Sequence, residues 1–383
     1  MTDLAKCHNI ADLRAAAKRR LPRFIFEFVD RGTEDELALR DNRAAIDRIK
    51  LLPRFARNVS SRDLGTTLLG GPASMPLAIA PTGAAGLMWY RGEIELARAA
   101  AEAKVPFTMA TGSMTALDEL AREVQGRLWF QLYMWVERQL SYELIRRADD
   151  AGYEALVVTV DTPLSPLREY NDRNGFSVPY APTVRNVRDM LLRPGWLTGT
   201  MLRYVMREGM PALQNHPTEF NRRATRAANA PRVAIDASLD FDEIARLRDR
   251  WPRKLIVKGI LHPQDALEAV ARGADAIIVS THGGRNFDCA LPSFDALPAI
   301  VAAVGGKATI IVDSGIRRGA DILKAIALGA HAVQVGRATL FGTAVAGKAG
   351  ATRALELLRR ELDYAMANTG CTRIADITGD LLA

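Results

Sequence analysis

Short apolar runs recur along the chain from residue 77 onward. They read LAIA (77–80), FTMA (107–110), LWFQL (128–132), ALVVTV (155–160), LIVK (255–258), AIIVS (276–280), TIIV (309–312) and AVQV (332–335). Each run is continuous rather than alternating, which is the pattern of strands buried on both faces in a parallel sheet. Most are followed by stretches rich in Ala, Leu, Arg and Glu that read as helices, such as EIELARAAAEAK (93–104), RQLSYELIRRADDAG (138–152) and PQDALEAVARGA (263–274). Eight strand–helix units predict a closed (β/α)8 TIM barrel. An open doubly wound sheet would carry GxGxxG after its first strand, but PTGAAG (81–86) stands there.

The flanks depart from this rhythm. Residues 1–60 read as a polar helical extension punctuated by Pro22 and Pro53. The interval 161–254 far exceeds an ordinary βα loop, and we place an insertion at 175–235. The whole, 1–383, reads as a single domain. Inside the insertion, 186–211 mixes Met, Leu, Trp and Tyr with Arg188, Arg193, Arg203 and Arg207. Such a basic amphipathic segment can lie in a membrane interface. It can equally be a helical lid packed on the barrel or on a neighbouring subunit.

Composition narrows the function classes. The net charge of +7 suits an acidic small substrate, a phosphate-bearing cofactor or an anionic membrane surface. No zinc-finger spacing or RNA-recognition signature points to nucleic acid. Three widely spaced cysteines suggest neither a disulfide framework nor a metal site, and a reducing, cytoplasmic setting is the expectation. The first residues lack the apolar core of a secretory signal. No run reaches the roughly 18 apolar residues of a membrane span.

Residues at the C-terminal ends of barrel strands face the active site. One cluster there is DSGIRRG (313–319) with VGRATLFG (335–342). Its glycines and arginines suit a phosphate, at the strands where such barrels bind one. A second cluster comprises Tyr133, Asp161, Arg168, Lys258, His282 and Arg285. His282 is a candidate base, and Asp161 could orient its imidazole and stabilise its charged form. Arg168 and Arg285 suit a carboxylate, and Lys258 a developing negative charge. An isomerase or aldolase that binds a substrate phosphate and uses Lys258 as a Schiff base is a second reading, of another class.

These motifs resemble the FMN-dependent 2-hydroxy acid oxidases and dehydrogenases. The similarity runs from LPRFIFEFVDRGTEDE (21–36) to about residue 350. It passes through PTG (81–83), WFQLY (129–133), TVDTP (159–163), LIVKGI (255–260), STHGGRNFD (280–288), DSGIRRGADILKAIALGA (313–330) and VGRA (335–338). Within the family the pattern is most similar to its mandelate dehydrogenase branch. The resemblance implies bound FMN, with its phosphate near Gly315, Arg317, Gly336 and Arg337 and with Asp313 also among the cofactor-binding residues. The flavin ring would lie against Pro81, Thr82, Gly83 and Ala110 and the side chains of Gln131, Thr159, Lys258 and Ser280. It also implies that His282, with Asp161, removes a proton, that Tyr133 bonds the substrate hydroxyl, and that Arg168 and Arg285 hold the carboxylate. Gly283 and Gly284 would keep the space above His282 free.

The implied reaction is oxidation of a bulky, aromatic (S)-2-hydroxy acid to the 2-oxo acid, with electrons passing to a quinone or another carrier. An oxygen-using oxidase of the lactate or glycolate type, releasing hydrogen peroxide, is the alternative. A homotetramer, lying peripherally on the inner face of the cell membrane, is expected. Four positions depart from the usual pattern. Phe28, in IFEF, replaces a tyrosine whose hydroxyl would reach the carboxylate, a loss on the order of 1 kcal/mol. Thr281 replaces an asparagine. Gly112 replaces a bulky aromatic of glycolate-type enzymes and leaves room for a large substrate side chain. Gly83 stands where many oxidases carry alanine, which leans toward a dehydrogenase.

Overall fold

The computed structural model describes residues 3–176, 183–221 and 230–383. The eight apolar runs are its barrel strands: β1 (Leu77–Ile79), β2 (Phe107–Ala110), β3 (Leu128–Leu132), β4 (Ala155–Thr159), β5 (Lys254–Ile260), β6 (Ala276–Val279), β7 (Thr309–Val312) and β8 (Ala332–Val335). All neighbours are parallel, and β8 closes on β1. Successive side chains of a strand point to opposite faces. Ala78, Trp129, Val157, Ile256, Ile278, Ile311 and Ala332 accordingly fill the barrel. Ile79, Phe130, Val158, Val257, Val279 and Val312, one residue later in each strand, pack against the surrounding helices. Both sets are apolar, which is why no alternation was visible in the sequence. A short antiparallel hairpin, Thr66–Leu68 with Gly71–Ala73, puts Leu68 and Ala73 beneath Trp129 at the N-terminal end of the barrel.

The N-terminal extension forms three helices, α1 (Ile10–Arg20), α2 (Arg23–Asp30) and α3 (Leu37–Arg48). Its helical part ends at Arg48. Residues 49–60 are not helical, because the chain there pairs with the C-terminus, Leu51 bridging Leu382. The helix α2 buries Phe24, Ile25, Phe26 and Val29. The last carbonyls of a helix lack intrahelical donors and favour cations. Here Arg285 donates to Phe28 O (2.6 Å) and Arg337 to Val29 O (2.8 Å), so α2 is pinned across the barrel mouth. Asp288, beyond β6, accepts the Asp35 and Ala38 amides, each at 3.0 Å, at the start of α3.

The insertion expected at 175–235 includes 177–182 and 222–229, which lie outside the described residues. Its described part carries helical segments at Val184–Leu191 and from Pro194 to Arg207. One face is anchored to the barrel. The fully buried Trp196 donates its indole N–H to Leu87 O (2.6 Å), and Tyr204 Oη accepts the Arg91 amide (3.0 Å). The other face exposes Val184 (91%), Leu191, Leu192, Val205 and Met206 (74%). Among the described residues no helix is long and apolar enough to cross a membrane.

Candidate active site

The inward-pointing columns of the barrel turn polar one step above its apolar filling. Two residues beyond Trp129, Val157, Ile256, Ile278 and Ile311 stand Gln131, Thr159, Lys258, Ser280 and Asp313. This layer is buried and cross-linked. Gln131 donates to Thr159 Oγ1 (3.0 Å), and Lys258 Nζ donates to Ser280 Oγ (2.5 Å) and Asp313 Oδ2 (2.6 Å). Above it opens a cleft. Gln131, Lys258 and Asp313 line the cleft together with Pro81, Thr82, Gly83 and Ala110. Thr159 and Ser280, also expected against the flavin ring, belong to the same buried layer and bond Gln131 and Lys258 directly. The Lys258 amine is occupied by Asp313 and Ser280, whereas a Schiff-base lysine needs a free one; this argues against the aldolase reading.

At one end of the cleft stand Gly315, Arg317, Gly336 and Arg337. Among the described residues the Arg337 guanidinium donates only to carbonyls, those of Val29 (2.8 Å), Gly283 (2.8 Å) and Arg31 (3.0 Å). Burial, then the charges of Arg285 and Arg317, hold its pKa well below the usual arginine value. Burial likewise brings Arg317 down to about 10. Cations desolvated in this way favour an anion beside them. Gly315 has φ +94°, and a Cβ there would sit 3.1 Å from Asn42 O. A Cβ on Gly336 would touch Thr82 at 3.4 Å. These residues fit the phosphate of FMN, with the polar layer beneath its ring.

At the other end His282 adopts φ +55°, in the left-handed region. Strain of this kind persists only when the surroundings impose it. Here the His282 amide donates to Ser280 Oγ (2.9 Å), and the Thr281 and Gly283 amides donate to Ser314 Oγ (3.2 and 3.0 Å). His282 Nδ1 faces Asp161 Oδ1 at 2.9 Å, and Nε2 faces Tyr133 Oη at 3.3 Å. Burial pushes the Asp161 carboxyl up. The His282 charge and hydrogen bond, with Lys258, more than offset this and hold it below the usual carboxylate range. Burial, with the nearby Asp161 charge, raises the Tyr133 phenol above its ordinary value, so it stays a donor. Gly259 makes room for Asp161. It sits at an irregularity in the β5–β6 pairing with φ +105°, and a Cβ there would fall 2.5 Å from Asp161 Cβ.

Two arginines complete this end. Arg168 Nε donates to Arg285 O (3.2 Å) and Nη2 to Asn286 Oδ1 (3.2 Å). Burial, then repulsion from Arg285, lower it to about 10. Arg285 donates to Phe28 O (2.6 Å) and Arg31 O (3.2 Å), and its guanidinium lies over the Phe28 ring, 5.1 Å from the centroid. Phe28 therefore contributes a cation–π contact where a tyrosine would also offer a hydroxyl. Gly112 lines the cleft with open space around it; the nearest atom to an added Cβ is Gly83 Cα at 4.0 Å.

Gly283 lines the cleft, and the structure adds a packing reason for both Gly283 and Gly284. Both have φ +69°. A Cβ on Gly284 would meet Leu39 N at 2.5 Å, and one on Gly283 would meet Arg337 Nη1 at 2.7 Å. The close approach of α3 and Arg337 demands these glycines. Ser314, Asn286 and Gly259 escaped the sequence reading. Each sits inside a quoted motif, but none carries the titratable chemistry that drew attention to its neighbours. His216 stays outside the site, stacked between Trp135 and Phe220 and lowered to about 4 by burial.

Comparison with known proteins agrees with this geometry. Residues 17–383 match the family model of FMN-dependent dehydrogenases. The chain is 39% identical over 374 residues to (S)-mandelate dehydrogenase of Pseudomonas putida, covering 98% of this chain and 93% of that one. It is 41% identical over 374 residues to L-lactate dehydrogenase of Ectopseudomonas mendocina (strain ymp), covering 97% of each. The crystal structure of the monotopic membrane protein (S)-mandelate dehydrogenase superposes with a TM-score of 0.92 at 38% identity, covering 98% of this chain and 99% of that one. The chain belongs to the FMN-dependent dehydrogenase family and is an FMN-dependent enzyme of the 2-hydroxy acid dehydrogenase type.

Proposed function

We propose that this enzyme oxidises a bulky, aromatic (S)-2-hydroxy acid of the mandelate type to the 2-oxo acid and delivers the electrons to a membrane quinone. The observation that carries the reading is a pair of arginines, Arg168 and Arg285, that among the described residues contact only neutral acceptors, beside the His282–Asp161 pair. A substrate carboxylate supplies the anion they lack. Its hydroxyl then falls to Tyr133, a donor, and to His282 Nε2. His282 takes the proton released at the reacting carbon or its hydroxyl, and Asp161 stabilises the imidazolium. FMN, when bound, supplies the two-electron acceptor. Lys258 and Gln131 support its ring, and Arg317 and Arg337 neutralise its phosphate. Space around Gly112 favours an aryl side chain over a methyl group.

The acceptor reading rests on the insertion, whose exposed Leu191, Leu192, Val205 and Met206 lie opposite the face anchored by Trp196 and Tyr204. We infer that this face lies on the inner surface of the cell membrane, as a peripheral contact. L-lactate is the second substrate reading, supported by L-lactate dehydrogenases at about 40% identity. Anaerobic mixing with a panel of 2-hydroxy acids separates the two. Bleaching of the flavin is expected to be faster with (S)-mandelate than with L-lactate, and the reverse order overturns the aromatic assignment. Admitting either oxygen or a quinone to the reduced enzyme then tests the acceptor.

A further inference from the structure

We propose that Asn286 is a positioning residue that ties the substrate-carboxylate anchor Arg168 to Asp161, the group that orients the His282 imidazole; this rests on the functional reading above. The Asn286 amide stands between the two. Its Oδ1 accepts from Arg168 Nη2 at 3.2 Å. Its Nδ2 reaches Asp161 Oδ1 (3.2 Å), Asp161 O (3.1 Å) and Thr162 Oγ1 (2.6 Å). Chemistry fixes which way the amide points. An arginine offers only donors, so the oxygen must face Arg168, and a carboxylate accepts, so the NH2 must face Asp161.

The Asp161 carboxylate is oriented through one oxygen. Among the described residues, its Oδ1 receives His282, Thr162 and Asn286, whereas its buried Oδ2 has no partner. Among the same residues Arg168 contacts no acid. Asn286 thus touches both the carboxylate anchor and the base's support. A neutral amide suits this place. An aspartate would turn an oxygen toward Asp161, repelling it, and would supply Arg168 with the counter-ion that the substrate is meant to bring.

The test uses the flavin-loaded enzyme with phenylacetate and the neutral phenylacetamide, binding being read from perturbation of the flavin spectrum. Asn286→Asp is expected to weaken phenylacetate about thirtyfold while phenylacetamide changes less than about threefold, because only the acid competes for Arg168. Asn286→Ala is expected to lower the limiting rate of anaerobic flavin reduction about tenfold at unchanged flavin content. Equal weakening of acid and amide in Asn286→Asp, or a limiting rate within about twofold of wild type in Asn286→Ala, overturns the proposal. Asn286→Asp is nearly isosteric and carries the test alone if Asn286→Ala does not hold flavin. Failure of wild-type enzyme to be bleached by any 2-hydroxy acid counts against the functional reading instead.

Discussion

Gly259→Ala is the substitution for which the structure gives the sharpest expectation. The residue is not among those that line the active-site cleft. Its φ of +105° lies where an L side chain is strained, and the new methyl group would sit 2.5 Å from Asp161 Cβ and 2.6 Å from Asp161 Cγ. Ordinary carbon–carbon contact begins near 3.5 Å, so one partner must yield by about 1 Å. The backbone strain is about 1–3 kcal/mol, and each kcal/mol lowers Tm by about 2–4 °C in a large domain. The larger effect is catalytic. A shift of about 1 Å in the carboxylate that orients His282 can cost about a hundredfold. Stopped-flow flavin reduction under nitrogen, at saturating substrate, should show this fall at normal flavin content. The same substitution placed on Asp161→Ala should cost far less, because the displaced group is already absent. A Gly259→Ala enzyme that is less stable yet reduces its flavin at the wild-type rate would refute the reasoning. So would additive losses in the double variant.

Other expectations follow from single contacts. Phe28→Tyr restores a hydroxyl near the arginines and should tighten simple 2-hydroxy acids by up to about tenfold; unchanged apparent affinity shows that the cation–π contact of Arg285 suffices. Replacing the exposed Leu191, Leu192, Val205 and Met206 with serine should release the enzyme from anionic vesicles and leave flavin reduction intact, whereas continued sedimentation with vesicles rules out this face as the docking surface. Asp161 is held below the usual carboxylate range in the folded state. Its ionisation therefore contributes stability that is full above its unfolded value near 3.9 and is lost as pH falls through the lower folded value. The Tm difference between wild type and Asp161→Asn should shrink as pH falls below about 4.

The barrel was legible because its strands are short, apolar on both faces and separated by helices, a pattern few other folds tolerate. The charged residues of the site were legible because the strand ends carry them. What escaped detection acts through backbone geometry or neutral hydrogen bonds. Gly259 and Ser314 look like turn residues until Asp161 and the 281–283 amides are seen beside them. The insertion's two faces could not be separated in the sequence: Trp196 and Leu191 are both large and apolar, and only packing shows that the first is buried and the second exposed.

The proposed function makes one residue decisive, the His282 imidazole that faces Asp161. Anaerobic mixing of flavin-replete His282→Gln with (S)-mandelate, followed at the flavin absorbance, is the direct measurement. Loss of a positioned base predicts reduction slower by about 10²–10⁴-fold, with the oxidised spectrum preserved. Bleaching of that variant at the wild-type rate would contradict the account.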